Sequence, residues 1–188
     1  DAIRVRSMGA HRAVTFKTQV YPGFPTDAQP QMCVLLCLAH GVSTLYEGVW
    51  DGRFRYVEEL KRMGANIQVE GRVAVFEGVE ALRPAPVSAT DLRAGAALVV
   101  AALCAEGQSE VYEIRHVERG YVDIVKKFQA LGGDIQKVVT PDEDELKKAY
   151  EDRTFISAAI IVDNYDEALR STPENYHSMF VTEANSFK

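Results

Sequence analysis

Two segments of this chain repeat one another at an offset of 64 to 68 residues, and that repeat restricts the folds open to it. The first runs Pro25-Thr-Asp27-Ala-Gln, then an apolar stretch to Gly41, then Val-Ser-Thr-Leu-Tyr46-Glu47. The second runs Ala89-Thr-Asp91-Leu-Arg93, then an apolar stretch to Gly107, then Gln-Ser-Glu-Val-Tyr112-Glu113. Each passes through an arginine, Arg53 or Arg119, and reaches a Tyr-Val pair. Each closes on a glycine motif, Gly64-Ala-Asn-Ile67 or Gly132-Gly-Asp-Ile135.

Within a unit of about 66 residues the pattern predicts helix, strand, helix, strand. The first helix of each copy opens at Thr-Asp, a capping pair, and closes at a glycine. Their interiors, Met32-Cys-Val-Leu-Leu-Cys-Leu and Ala96-Ala-Leu-Val-Val-Ala-Ala-Leu, are apolar nearly all round, so both helices are expected inside the domain. The second helices, residues 56–63 and 121–131, are amphipathic. In the first of them Val57, Leu60 and Met63 face inward, while Glu58, Glu59, Lys61 and Arg62 face outward. Residues 65–69 and 73–76 read as strands joined by a short hairpin at Glu70-Gly71-Arg72. The expectation is an α/β fold of internal repeats with buried helices, which by itself serves a binding scaffold as well as an enzyme.

Charge divides the chain. Residues 141–188 hold 11 acidic and 5 basic side chains, whereas the first 140 residues hold 16 of each. A neutral body lacks the basic face that nucleic acid or an anionic membrane surface would require, so neither is expected as a partner. The longest apolar run, residues 94–105, falls short of the ~20 residues that span a bilayer. Cys33, Cys37 and Cys104 have no His or Cys at ligand spacing, so no metal is expected. They read as small apolar fillers of a protein kept in a reducing, cytoplasmic compartment. The start, Asp1-Ala-Ile-Arg-Val-Arg, lacks the order of a signal peptide and reads as the middle of a strand, as though a longer chain preceded it.

The segment Tyr21-Pro-Gly-Phe-Pro-Thr-Asp27-Ala-Gln-Pro-Gln31 is more specific. It is followed at fitting distances by Arg53-Phe54, Arg62-Met-Gly-Ala65, Ala89-Thr-Asp-Leu-Arg93-Ala and Arg119-Gly-Tyr121. Together these resemble the UDP-N-acetylglucosamine 1-carboxyvinyltransferases, over roughly residues 1–138. The resemblance implies the inside-out α/β barrel type of fold of the enolpyruvyl transferases. It implies transfer of enolpyruvyl from phosphoenolpyruvate to the sugar 3-hydroxyl, by addition and elimination, in peptidoglycan precursor synthesis and without a cofactor.

By the same resemblance Asp27 matches the aspartate at the sugar hydroxyl, proposed as general base. Arg53, Arg93 and Arg119 match arginines lining the phosphoenolpyruvate pocket, and the guanidinium fork suits a carboxylate or phosphate. Val49 falls where the nucleotide-sugar is met through backbone, although Trp50 and Gly52 depart from the family's usual residues there. His116 is expected to have a structural or supporting role.

The family's active site lies between two similar domains, and the N-terminal half supplies a Lys-Asn pair and a mobile loop with the proton donor. Neither is present here, so residues 1–139 are expected to be a C-terminal part, forming one wall of the site and inactive alone. Residues 140–188 are expected to form an acidic α/β extension of unknown role. It would hold a helix over 140–152, a strand over 155–162, a short helix over 165–170 and a last strand at 179–181. The alternatives are a non-catalytic relative or fusion retained for binding, and a transferase for 3-phosphoshikimate.

Overall fold

The computed structural model describes Arg4, residues 9–138 and, as backbone, residues 159–163. The expected helices at 140–152 and 165–170 and the strand at 179–181 lie outside the described residues.

The repeat is realised as two four-stranded sheets of one design. In the first, β1 (Thr15–Lys17), β2 (Val42–Tyr46), β4 (Val73–Glu77) and β3 (Asn66–Glu70) lie side by side in that order. Strand β1 runs parallel to β2, and the other neighbours are antiparallel. The second sheet has the order β5 (Pro86–Ser88), β6 (Gln108–Tyr112), β8 (Ala159–Asp163), β7 (Ile135–Val138), with the same directions. Strand β8 takes the place that β4 takes in the first sheet. There β3 and β4 form the predicted hairpin, whereas β7 and β8 are separated by residues 139–158. Among the described residues β7 has β8 as its sole neighbour.

Among the described residues neither sheet closes on itself. Helices α1 (Gln29–Cys37) and α3 (Leu92–Cys104) pack on each other between them, so the helices lie inside and the strands outside. Helix α3 is buried along nearly its whole length because Ala94, Gly95, Ala96, Ala97, Ala101 and Ala102 present little bulk on any face. Helix α1 is shorter than the stretch to Gly41 suggested, and its Leu35 is partly exposed.

The second helix of the first repeat is α2 (Val57–Arg62). Val57, Leu60 and Met63 are buried as expected. Glu59 differs from its expected outward position. It is buried, accepting from the Ser88 amide at 2.9 Å and from Arg62 Nη1 at 3.2 Å, and so ties α2 to β5. In the second repeat, α4 (Arg115–Glu118) precedes α5 (Ile124–Ala130), which starts later than predicted because Asp123 is left-handed at φ 51°. Cys33 and Cys37 fill the core, but Cys104, at the end of α3, is exposed. No described helix is long and apolar enough to cross a membrane.

Candidate active site

The Tyr21–Gln31 motif folds back on β1 before it enters α1. The Gln19 amide donates to the Phe24 carbonyl at 2.8 Å, and the rings of Phe16 and Phe24 meet edge to face with centroids 4.8 Å apart. A 3-10 turn, Thr26–Ala28, then leads into α1 and carries Asp27. No side chain caps this turn or α1. Asp91, the equivalent residue of the second repeat, does cap α3, accepting from the amides of Arg93 and Ala94 at 2.9 Å each. The two aspartates differ in place: Asp91 is the N-cap of α3, whereas Asp27 lies inside the 3-10 turn ahead of Ala28, the N-cap of α1, and its carboxylate meets guanidinium groups instead.

Arg53 Nη2 stands 3.1 Å from Asp27 Oδ1, and Arg93 Nη2 stands 2.6 Å from Oδ2. Arg53 comes from the loop between β2 and α2, in the same repeat as Asp27. Arg93 comes from the first turn of α3, in the other repeat. The Arg53 side chain is only 19% exposed, its Nη2 lies 3.5 Å from the Thr26 carbonyl, and its Nε is buried without a partner. Two guanidinium groups on one carboxylate leave the cluster net positive, and each fork retains donors for an arriving anion.

Beside the cluster lies an open cleft of about 520 Å³, lined by Pro25, Asp27 and Gln31 of the first repeat and Leu92, Arg93 and Tyr121 of the second. Gln31 Nε2 donates to the Arg93 carbonyl at 3.3 Å, a direct tie between α1 and α3. Arg119 ends α4 and is exposed, and the ion pairs at Asp27 do not include it. Its neighbours Gly120 and Tyr121 line the cleft. Gly120 packs so tightly on Leu92 that an added Cβ would stand 2.8 Å from Leu92 Cδ2. Arg119 is therefore held beside the turn that carries Arg93.

The corner after β2 is tightly built. Val49 and Trp50 donate their amides to Glu47 Oε1 at 2.9 and 3.1 Å. The Gly48 amide donates to Thr18 Oγ1 at 2.8 Å. A Cβ at Gly48 would fall 2.3 Å from the Thr18 carbonyl oxygen, so no side chain fits there. Trp50 is exposed, and Gly52 is left-handed at φ 65°. Asp51 pairs with Arg72 at 2.6 Å, which holds its carboxyl below the usual range. His116 is half-buried in α4.

The sequence thus points to Asp27, Arg53 and Arg93, which the fold brings into contact, and to Arg119 and Val49, which stand on neighbouring turns. It assigns no role to Glu47, Gln31 or Leu92, although all three stand in motifs it singles out. A glutamate after a strand looks like a surface residue, and the other two read simply as helix residues. Among the described residues no group of His, Cys, Asp and Glu is arranged to hold a metal ion.

A sequence model of the family described as EPSP synthase (3-phosphoshikimate 1-carboxyvinyltransferase) matches residues 1–128. The chain belongs to the EPSP synthase family. Within that family it is 55% identical over 136 residues to a UDP-N-acetylglucosamine 1-carboxyvinyltransferase 3 of Symbiobacterium thermophilum, a match covering 72% of this chain and 32% of the relative. A UDP-N-acetylglucosamine 1-carboxyvinyltransferase of Desulfofundulus thermocisternus is 49% identical over 148 residues, covering 77% of this chain and 61% of the relative. Among solved structures, the enolpyruvyl transferase NikO from Streptomyces tendae is 33% identical with a TM-score of 0.63, covering 67% of this chain and 29% of that one. An EPSP synthase from Acinetobacter baumannii, 17% identical with a TM-score of 0.51, shares the fold over 82% of this chain and 31% of its own. The chain spans about a third of the length of most of the curated EPSP synthase family relatives it matches.

Proposed function

We propose that this chain supplies one wall of an active site that transfers enolpyruvyl from phosphoenolpyruvate to the 3-hydroxyl of UDP-N-acetylglucosamine. The observation that carries the reading is the convergence of Asp27, Arg53 and Arg93, drawn from both repeats, beside a cleft that Asp27 and Arg93 line. A binding scaffold has no need of a carboxylate held between two guanidinium groups beside open space. The names of the relatives sharing half the residues over this region favour the sugar nucleotide over 3-phosphoshikimate as acceptor.

In this reading Asp27 is the general base. It accepts the proton of the 3-hydroxyl as that oxygen bonds to C2 of phosphoenolpyruvate, while C3 takes a proton from a donor on the other wall. The tetrahedral adduct then loses a proton from C3 and expels phosphate, which restores the double bond. Arg53, Arg93 and Arg119 hold the carboxylate and phosphate of phosphoenolpyruvate. Preorganised cations of this kind stabilise charge where it develops without reorganising at the moment of reaction. Val49, whose amide is taken by Glu47, meets the nucleotide-sugar through its carbonyl.

The second wall is the N-terminal half of the enzyme, and the setting is peptidoglycan precursor synthesis in the cytoplasm. Positioning across a closed cleft accounts for several kcal/mol of such a barrier, so the chain alone is inactive. Phosphate release with both substrates tests this. The chain by itself should release none, and the chain combined with the N-terminal part of the Symbiobacterium relative should release phosphate only when the sugar nucleotide is present. A combined sample that binds neither substrate and stays silent overturns the reading.

A further inference from the structure

We infer that Glu47 is the positioning residue that locks the Asp27 turn to the corner carrying Val49 and leading to Arg53. The inference rests on the reading of the cleft given above. Glu47 follows β2 and is 2% exposed, although it is a carboxylate. A buried carboxylate persists where its lone pairs are met by donors. Here Oε1 accepts from the amides of Val49 and Trp50, while Oε2 accepts from the Thr26 hydroxyl at 3.1 Å. Its own amide donates to the Arg72 carbonyl at 2.8 Å, which fixes the backbone from which the side chain reaches.

One side chain therefore spans two segments 21 residues apart. Thr26 is the residue before Asp27, and its carbonyl also lies against Arg53. The base, the sugar-contacting corner and one anion-binding arginine are all referred to the same two oxygens.

The internal repeat supplies a control. Glu113 holds the equivalent place after β6, yet its side chain is 48% exposed, its backbone is left-handed at φ 56°, and it pairs with Arg115 at 2.7 Å. The repeat fold does not demand a buried glutamate there. The burial belongs to the copy that bears Asp27.

The test uses the full chain combined with the N-terminal part of a relative, with Glu47→Ala, Glu47→Asp, Glu47→Gln and Glu113→Ala. Loss of both acceptors in Glu47→Ala lets the Asp27 turn drift, and a misplacement near 1 Å costs about 100-fold in kcat. KM for phosphoenolpyruvate should change much less. Glu47→Gln keeps an acceptor for both amides and a polar partner for Thr26, so it should recover most of that loss. Glu47→Asp is too short to span both segments and should not. Glu113→Ala should match the wild type. A Glu47→Ala enzyme as fast as wild type, or a Glu47→Gln enzyme as slow as Glu47→Ala, overturns the inference. If the wild-type pair is itself inactive and binds neither substrate, the functional reading fails instead. The amide spectrum of the full chain alone then decides on Glu47, because Asp27 and Val49 resonances unmoved by Glu47→Ala reject its role.

Discussion

The carboxylate of Asp27 meets the guanidinium of Arg93 at 2.6 Å although 66 residues of chain separate them. Asp27 sits on the turn entering α1, and Arg93 sits on the first turn of α3. The packing of α1 on α3 therefore fixes the site. The Arg93 carbonyl, held by Gln31, adds a second tie at the same junction.

Replacing Asp27 with asparagine should separate catalysis from stability. The side chain is 56% exposed, so its two ion pairs contribute only about 0–1 kcal/mol each to folding. Removal of a general base costs about 100-fold or more in rate. Thermal denaturation close to wild type, together with a kcat for phosphate release reduced to that extent in the combined enzyme, is the expected pair of results.

Arg53→Lys keeps the charge and loses the planar fork. The buried Nε, which has no partner among the described residues, disappears with it, so stability should hardly suffer. Loss of one charge-assisted hydrogen bond to substrate corresponds to about a tenfold rise in KM for phosphoenolpyruvate. Steady-state kinetics against varied phosphoenolpyruvate reads this directly.

Asp91→Ala removes the cap of α3, and with it two bonds to backbone amides. The cost should be about 1 kcal/mol of folding stability. Asp91→Ser should restore most of it. Urea denaturation midpoints check the order wild type, serine, alanine.

The cysteines should separate by reactivity. Burial pushes the Cys37 thiol up to about 12 and the Cys33 thiol higher still. Thiolate is the reactive species, so near pH 8 neither should be alkylated in the folded chain. Cys104 is exposed and should react first, more slowly than a free thiol because partial desolvation also raises its titration point. Mass spectrometry after iodoacetamide treatment should show one added group, and three after unfolding.

Much of this architecture is legible from local pattern. The Tyr46 and Tyr112 strands, the two apolar helices and the hairpin at Gly71 each follow from residue types within a dozen positions. The fate of Asp27 is not, because Thr-Asp before a helix looks the same in both repeats. Only the folded chain brings Arg53 and Arg93 to one of them. Glu47 and Glu59 mislead for a related reason. Each is a glutamate with one partner, Thr26 or Ser88, that lies 21 or 29 residues away, and nothing local marks it as buried. Strand β8 was readable as a strand, but its place between β6 and β7 depends on register with segments far upstream.

That place sets an order of assembly. The first sheet can be complete once residue 77 has left the ribosome, since all four of its strands lie upstream of that point. The second cannot, because among the described residues the one neighbour of β7 is the strand at 159–163, which arrives last. Contacts between distant stretches form late and slowly compared with a hairpin. The sheet behind Arg93 is therefore expected to close after the sheet behind Asp27. Until residues 159–163 arrive, the β6 edge that β8 covers is expected to stay open, and an open strand edge is a surface on which nascent chains can pair wrongly.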